Sequence, residues 1–360
     1  SFDVTKLVRT GEKNLLSVVL EKAPDEQPQV SKTRYVKTHK SRMTYWWDFC
    51  PRMIHLGIWD DVYLKITKGT LLGQIDLETE LSDDHQKAVV RVKAPVDSLP
   101  FDRQRILVEA MVSMDGVCLA DQREFAENGS AEFEFEVEDP NLWWPNGYGS
   151  QPLYELRLSV YETENDQEAS DEKKVRFGIR SLTFVKNETP DTACVNGRRI
   201  YMKGDNWVPI DAMYGVRRTG KLQRLLRLVK DAHVNCLRVW GGGLVEREDF
   251  YDFCDENGIL IWQEFIQSSS GIENEPSSDP DFLKLMEREA AVIIPRKKHH
   301  PSLALWGGGN ELSGSNNEMI NMKEPVIRIL GEQVKKYDPS RYFLESSPTG
   351  RMFNNTLENI

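Results

Sequence analysis

The pattern of apolar residues changes about half-way along the chain, and this change limits the possible folds more than any other feature. Up to residue 178, apolar and charged residues alternate in short segments, such as AEFEFEV at 131–137 and YELRLSV at 154–160. This alternation is typical of antiparallel strands that bury one face. After Phe184, strands alternate with amphipathic helices, which predicts parallel βαβ units.

Three segments follow from this change of pattern. The strands between residues 66 and 178 recur at intervals suited to an immunoglobulin-like β-sandwich, which needs about 100 residues. Residues 1–65 are predicted to form a further β segment that is too short for a second sandwich. Residues 179–360 fall short of the roughly 250 residues of a complete (β/α)8 barrel. We therefore predict the N-terminal part of a TIM barrel there, with about five strands.

The second half of the chain carries specific element predictions. Strands are expected at residues 199–203, 234–240, 259–264, 303–306 and 342–345. Between the first two, the i, i+3, i+4, i+7 spacing of one helical face is followed by Leu222, Leu225, Leu226 and Val229. We predict Thr219 as the N-cap of this helix and Gly258 as the end of the next one.

The composition argues against several classes of protein. Lys and Arg number 46 against 57 Asp and Glu, and the net charge of −11 would repel nucleic-acid phosphates. No apolar run approaches the roughly 18 to 20 residues that span a bilayer. The five cysteines lack the spacing of a zinc site or a disulfide framework. We interpret His299-His300 as a solvated helix end, and we predict no metal, no cofactor, no nucleic-acid partner and no membrane partner.

Polar and aromatic residues follow each strand predicted in the second half. They are Asp205-Asn206-Trp207, Arg238 with Trp240, Gln263-Glu264, Asn310-Glu311 and Glu345. The carboxyl ends of the strands of a (β/α)8 barrel form the edge at which active sites lie. The sequence therefore predicts a site built from these strand ends.

Glu311 is the strongest single candidate for chemistry. An apolar strand runs through Gly307-Gly308-Gly309 into Asn310-Glu311, and a carboxylate at a barrel strand end among aromatic residues is suited to proton donation. Glycines at a strand end favour close approach of a ligand. The alternative is a carboxylate that merely stabilises the N-terminus of a helix.

Three further positions have a functional and a structural interpretation. Trp240, which precedes three glycines, could stack on a sugar or could be a core tryptophan that caps the barrel. Arg238 shares the strand face of Trp240, and an inward arginine requires carboxylate partners. Asp48 lies in the aromatic segment 45–52, where it could bind a ligand or pair within a core cluster.

These motifs resemble those of the family-2 glycoside hydrolases, and within them most closely those of the β-mannosidases. WDFCPR at 47–52 with GIW at 57–59 resembles the signature of the family's N-terminal jelly-roll sugar-binding domain. LWWPNGYG at 142–149 resembles an element of its immunoglobulin-like domain, and FGIR at 177–180 resembles its entry into the barrel. Four further segments resemble successive strands of the family's barrel: KGDNWVP at 203–209, LRVWGGG at 237–243, IWQEF at 261–265 and ALWGGGNE at 304–311.

The resemblance implies roles for individual residues. Glu311 would be the general acid/base, and Asn310 would contact the sugar 2-hydroxyl. Trp240 would form a wall of the −1 subsite, Asp48 would bind a sugar hydroxyl, and Arg238 would support the carboxylate of the nucleophile. Further substrate contacts are expected from Trp47, Trp207, Asn206 and Glu264.

The function implied by this resemblance is that of a retaining exo-β-mannosidase, which removes terminal β-mannosyl residues from oligosaccharides. The family's nucleophile lies on a later barrel strand, so it is expected outside these 360 residues, and the segment alone is expected to be inactive. An exo-β-glucosaminidase of the same family and a non-catalytic carbohydrate-binding fragment stay open as alternatives. The expected partner is an oligosaccharide. No signal peptide is visible, which slightly favours a cytoplasmic location, but the natural N-terminus is expected to be missing from this sequence.

Overall fold

The computed structural model describes residues 2–24, 31–66, 69–98, 105–185, 192–315 and 318–347. In the described part of the first 66 residues, regular structure consists of strand β1 (Ser31–Lys32) and two 3-10 turns, Thr33–Tyr35 and Arg42–Tyr45. The described residues of this segment thus contain less strand than the β segment predicted for residues 1–65, and the assignment of these residues to part of a jelly-roll domain stays a prediction. A strand needs a partner strand for its hydrogen bonds, and β1 finds one only at residues 271–273, far along the chain.

Residues 70–177 form a β-sandwich of two four-stranded sheets. Its strands are β2 (Thr70–Leu72), β3 (Asp76–Leu81), β4 (Lys87–Ser98), β5 (Leu107–Met114), β6 (Val117–Phe125), β7 (Ser130–Glu138), β8 (Tyr154–Tyr161) and β9 (Asp171–Phe177). In one sheet β4 pairs with β2, β3 and β7, and the other has the order β6-β5-β8-β9. Ala131, Phe133 and Phe135 are buried while the glutamates between them are exposed. The predicted β-sandwich is confirmed.

A small antiparallel sheet separates the sandwich from the α/β part. It consists of β10 (Leu182–Val185), β11 (Thr192–Val195) and β12 (Arg198–Arg199). The first parallel strand was predicted at 199–203, but it begins at Gly204. The reason is strand pairing. Arg199 belongs to β12 and lies opposite Cys194 of β11, whereas Gly204 is the first residue that lies opposite a residue of the parallel sheet, Cys236 of β14.

The remaining described chain alternates strands and helices. The elements are β13 (Gly204–Trp207), α1 (Thr219–Asp231), β14 (Cys236–Val239), α2 (Glu248–Asn257), β15 (Leu260–Glu264), β16 (Gly271–Glu273), α3 (Pro280–Lys297), β17 (Leu303–Gly307), α4 (Pro325–Tyr337) and β18 (Tyr342–Leu344). Five of the strands form one parallel sheet in the order β13-β14-β15-β17-β18. This order is that of consecutive βα units, and the predicted partial TIM barrel is confirmed.

The helices follow the sequence pattern with one correction. Leu222 and Leu226 are buried on the inner face of α1, as the spacing predicts. Thr219 is the first residue of α1 rather than its N-cap, which is Arg218 without a side-chain capping bond. Gly258 ends α2 in the left-handed conformation, with φ of 71°, as predicted.

The sandwich and the barrel sheet are joined through a buried tryptophan. Trp143 is fully buried and packs with Cys236, Leu260 and Ala304, which lie near the N-terminal ends of β14, β15 and β17. Its indole N–H donates to the carbonyl of Asp255 at 2.7 Å. The sandwich therefore closes the end of the sheet opposite the predicted site.

None of the helices in the described ranges has the length and the apolar character that crossing a bilayer requires.

Candidate active site

Arg238 is the centre of a hydrogen-bonded network at the carboxyl ends of the parallel strands. Its Nε donates to Glu264 Oε1 at 2.8 Å, Nη1 to Asn206 Oδ1 at 2.8 Å and Nη2 to Asn310 Oδ1 at 2.6 Å. The guanidinium carbon also lies 5.7 Å from the centre of the Trp262 ring. Residues from four strand ends, β13, β14, β15 and β17, thus meet at one guanidinium, and Arg238 has the carboxylate partner that an inward arginine requires.

Glu264 supports this network from inside the protein. It is fully buried, and its second oxygen, Oε2, accepts from the amide of Gly241 at 2.7 Å. Burial raises the pKa of Glu264, while Arg238 and the Gly241 amide partly offset this shift. Because both oxygens are bonded to protein, Glu264 holds Arg238 in place. The expected contact of Glu264 with substrate stays a prediction.

Asn310 and Glu311 lie beyond the end of β17, and the side chain of each is hydrogen-bonded to the side chain of one serine. The Asn310 side-chain amide donates to Ser268 Oγ at 2.9 Å, so its carbonyl oxygen faces Arg238. Glu311 is partly exposed, and its Oε2 accepts from Ser269 Oγ at 3.0 Å. The negative charges of Glu311 and Glu264 are close enough that Glu311 contributes to the raised pKa of Glu264. The predicted acid/base therefore lies beside the Arg238 network.

The glycines that precede these residues make room for protein rather than for a ligand. A Cβ on Gly307 would lie 2.9 Å from Glu264 Cγ, and one on Gly308 would lie 2.2 Å from the carbonyl oxygen of Glu345. After β14, a Cβ on Gly241 would lie 2.5 Å from the carbonyl oxygen of Gln267. Tight packing of neighbouring loops therefore requires these glycines, which corrects the expectation of a ligand space.

Trp240 is covered by the N-terminal segment. Its indole is 5% exposed and packs with Met43 and Cys50. Trp47 and Phe49 approach it edge-on, with ring centroids 4.9 and 5.6 Å away. Trp240 is thus buried among protein side chains, and its role as a wall of the −1 subsite stays a prediction.

The other predicted contacts are divided between the two faces of the sheet. Asn206 is exposed at the rim, bonded to Arg238. Trp207, the next residue, faces the helices: it packs on Phe250 and donates to Glu246 at 2.9 Å. Asn206 and Trp207 point to opposite faces of the sheet because they are adjacent in one strand, and the expected contact of Trp207 with substrate stays a prediction.

The two N-terminal candidates are not joined to this network by any contact that the structure describes. Trp47 is half-buried against Trp240, and Asp48 is exposed in the turn that pairs Trp47 with Cys50. Asp48 thus stays a predicted sugar ligand that the structure does not bring to Arg238.

The residues that sequence reasoning missed are Ser268 and Ser269. Both are 1% exposed and follow β15 in the run Gln267-Ser268-Ser269-Ser270. The only available signal was three consecutive hydroxyl residues soon after the end of a predicted barrel strand. Serine is common in loops, so this signal is weak.

A second polar cluster lies on the helical side of the barrel. Among the described residues, Asp252, Asp255 and His300 each offer a possible metal-ligand atom within 4.8 Å of one another. However, His300 is bonded through Nδ1 to Asp255 at 2.6 Å and through Nε2 to Glu248 at 3.1 Å. These bonds are typical of a buried ion-pair network. His300 is 2% exposed, so the interpretation of His299-His300 as a solvated helix end is wrong.

Comparison with known proteins assigns the family. The model described as glycosyl hydrolases family 2 matches residues 70–180, and that of the family's TIM barrel domain matches residues 186–354. The chain belongs to glycoside hydrolase family 2. The resemblance seen in the sequence motifs is thereby confirmed.

Individual relatives are β-mannosidases. Beta-mannosidase B from Emericella nidulans is 30% identical over 340 residues, which cover 88% of this chain and 39% of that protein. The crystal structure of the beta-D-mannosidase from Dictyoglomus thermophilum superposes with a TM-score of 0.76 at 28% identity and covers 89% of this chain and 40% of that one. This chain thus spans about two fifths of the length of the relatives it matches.

A more distant structure shares the fold alone. The exo-chitosanase CsxA from Amycolatopsis orientalis has a TM-score of 0.64 at 18% identity, with 78% of this chain and 32% of that chain covered. The fold of this chain is therefore shared by a protein whose name indicates a different substrate.

Proposed function

We propose that this chain supplies the acid/base side of a retaining exo-β-mannosidase, a glycoside hydrolase that removes terminal β-mannosyl residues from oligosaccharides. The observation that carries the proposal is the meeting of Asn206, Arg238, Glu264 and Asn310 beside Glu311 at the carboxyl ends of the parallel strands. That edge is where the active sites of TIM barrels lie.

The proposed chemistry divides the roles between two carboxyl groups. Glu311 protonates the departing glycosidic oxygen as the C1–O bond breaks, and it then activates the water that releases the sugar. A nucleophilic carboxylate beyond these 360 residues forms the covalent intermediate, at about 5 to 5.5 Å from Glu311 as retention requires. Arg238, held by Glu264, supports that carboxylate, and Asn310 contacts the sugar 2-hydroxyl.

The mannoside preference is supported by the printed names of the relatives. Both the Emericella nidulans protein and the Dictyoglomus thermophilum structure are β-mannosidases. A glucosaminidase would benefit from a further carboxylate beside Glu311 to bind the C2 amine. The residues that follow, Leu312 and Ser313, are buried and uncharged, which favours a hydroxyl at C2.

The decisive experiment is hydrolysis of p-nitrophenyl β-mannoside by the longest natural form of the protein and, separately, by residues 1–360. The corresponding β-glucosaminide is the control substrate. We expect the longest form to release p-nitrophenol from the mannoside and residues 1–360 to be inactive. Turnover of the glucosaminide alone would favour the glucosaminidase, and inactivity of both forms on both substrates would favour a non-catalytic carbohydrate-binding role.

A further inference from the structure

Three consecutive serines after β15 each bind a different part of the molecule. Ser268 Oγ accepts from the Asn310 amide at 2.9 Å, and Ser269 Oγ donates to Glu311 Oε2 at 3.0 Å. Ser270 Oγ accepts from Thr33 Oγ1 at 3.1 Å in the N-terminal segment. All three serines are at most 2% exposed. Only Ser269 contacts the proposed acid/base directly through its side chain.

We propose that Ser269 is a positioning residue for Glu311. The inference rests on the proposed function, because it concerns how the acid/base of that function is held. Ser269 occupies one carboxylate oxygen of Glu311, which leaves Oε1 as the oxygen that exchanges the proton with substrate. A hydroxyl that donates to a carboxylate stabilises the charged form and so makes the corresponding acid a better proton donor.

The backbone around this contact fixes its geometry. The Ser269 amide donates to the Asn310 carbonyl at 2.9 Å, and the Asn310 amide donates to the Gln267 carbonyl at 3.0 Å. The Glu311 amide donates to the Ser347 carbonyl at 2.7 Å on the other side. The segment that carries Glu311 is thus hydrogen-bonded between the strand ends of β15 and β18. These bonds fix the main chain of Ser269 next to that of Glu311, within reach of its carboxylate.

The backbone of Glu311 has an unusual conformation. Its φ is 50°, in the left-handed region that few residues other than glycine adopt. Within the described residues, the hydrogen bond from Ser269 is the one side-chain contact that the structure gives the Glu311 carboxylate. The orientation of the proton donor therefore depends on this serine.

The test compares Ser269→Ala with Ser270→Ala in the longest natural form of the protein. Both variants remove one buried serine hydroxyl from the same loop, but Ser270 contacts the N-terminal segment instead of Glu311. The substrates are phenyl β-mannoside, which needs protonation of its leaving group, and 2,4-dinitrophenyl β-mannoside, which does not. The measured quantity is kcat/KM for each of the two substrates.

We expect Ser269→Ala to lower kcat/KM for the phenyl substrate about tenfold more than for the dinitrophenyl substrate. A tenfold effect corresponds to the loss of one charge-assisted hydrogen bond. Ser270→Ala should leave the ratio between the substrates unchanged, and Ser269→Thr, which keeps a hydroxyl group, should restore part of it. Equal losses on the two substrates would overturn the proposal.

A measurement that does not depend on turnover separates this inference from the proposed function. With 13C-labelled glutamate, the carboxyl resonance of Glu311 is identified by its loss in Glu311→Gln and is recorded by NMR at one fixed pH. Its chemical shift should change in Ser269→Ala, which removes the hydrogen bond to the carboxylate, and stay in place in Ser270→Ala, whichever glycoside the enzyme accepts. An unmoved resonance in Ser269→Ala would refute the role of Ser269 even if the protein proves to be a β-mannosidase.

Discussion

Glu311 has a left-handed backbone conformation, and its carboxylate is hydrogen-bonded to Ser269. A non-glycine residue in the left-handed region costs about 1–3 kcal/mol, and such strain tends to occur at functional sites. Here two hydrogen bonds hold Glu311: its backbone N–H donates to the Ser347 carbonyl, and its carboxylate accepts from the Ser269 hydroxyl. The left-handed conformation of Glu311 therefore agrees with its proposed role as the acid/base.

Replacing Glu311 with glutamine should separate substrates by their leaving groups. Without an acid, kcat/KM for phenyl β-mannoside should fall about 100-fold to 10,000-fold, the range of general acid catalysis. The value for 2,4-dinitrophenyl β-mannoside should change little, because its first step needs no proton. Glu345→Gln, at the end of the neighbouring strand β18, is the matched control and should not discriminate between the substrates. Equal loss on both substrates with Glu311→Gln would contradict the acid role.

Among the elements, α2 has the best-defined end. Gly258 has φ of 71°, and a Cβ there would lie 2.4 Å from the backbone nitrogen of Asn146 in the sandwich. The glycine is therefore required both by the turn after the helix and by the close approach of the other domain.

The substitution Gly258→Ala should destabilise the protein by about 2 kcal/mol, the sum of left-handed strain and displaced backbone. Gly220→Ala, inside α1 with open space around the added methyl group, is the control and should stabilise the protein by about 0.5 kcal/mol. Urea denaturation measures both free energies of unfolding. Similar values for the two variants would contradict this account of Gly258.

His300, which follows α3, is hydrogen-bonded to Asp255 and Glu248 of α2, and these contacts should make the free energy of unfolding depend on pH. Burial acts to lower the pKa of His300, but the carboxylates of Asp255 and Glu248 more than offset it, so its pKa is raised above 6.5. A raised pKa in the folded state means that the stabilisation is complete below about pH 6.5 and is lost as the pH rises through the folded pKa. The difference in free energy of unfolding between wild type and His300→Gln should therefore shrink from pH 6 to pH 9.

The adjacent histidine supplies a control of opposite sign. Burial, together with the charge of His300, holds the pKa of His299 well below its usual range. Wild type should therefore gain stability relative to His299→Gln as the pH rises, because His299 folds in its neutral form. Denaturation curves at several pH values distinguish the two trends. A difference for His300→Gln that grows with pH would contradict the charged network.

At the scale of the whole molecule, the sandwich and the barrel sheet are packed as one unit around Trp143. The charged contacts across this junction include Arg176 with Asp252 at 2.9 Å and with Glu256 at 2.6 Å. These ion pairs are partly exposed and contribute little by themselves. The buried indole is therefore expected to carry most of the coupling between the domains.

Replacing Trp143 with alanine should lower the free energy of unfolding by about 3–5 kcal/mol, as for other fully buried tryptophans. Calorimetry should show a lower Tm and a separate transition for the sandwich. Trp144→Ala, a half-buried neighbour outside the junction cluster, is the control and should preserve a single transition. Unaltered cooperativity in Trp143→Ala would show that other contacts couple the domains.

The sequence by itself determined the classes of the elements and the edge at which polar residues gather. Alternation in β7 and the helical spacing in α1 are local patterns that bury apolar side chains on one face. The carboxyl ends of parallel strands share one edge, so Arg238 and Asn310 could be expected to lie close together before any contact was known. These inferences need only neighbouring residues and the connectivity of βα units.

Only the tertiary structure decided what each side chain faces. The first parallel strand begins at Gly204 rather than at residue 199, and Trp207 packs against the helices on the face opposite Asn206. Trp240 is covered by a segment almost 200 residues earlier, and Ser269 reaches Glu311 across 42 positions of sequence. Such contacts form between residues that are far apart in the sequence, so a pattern of neighbouring residues cannot predict them.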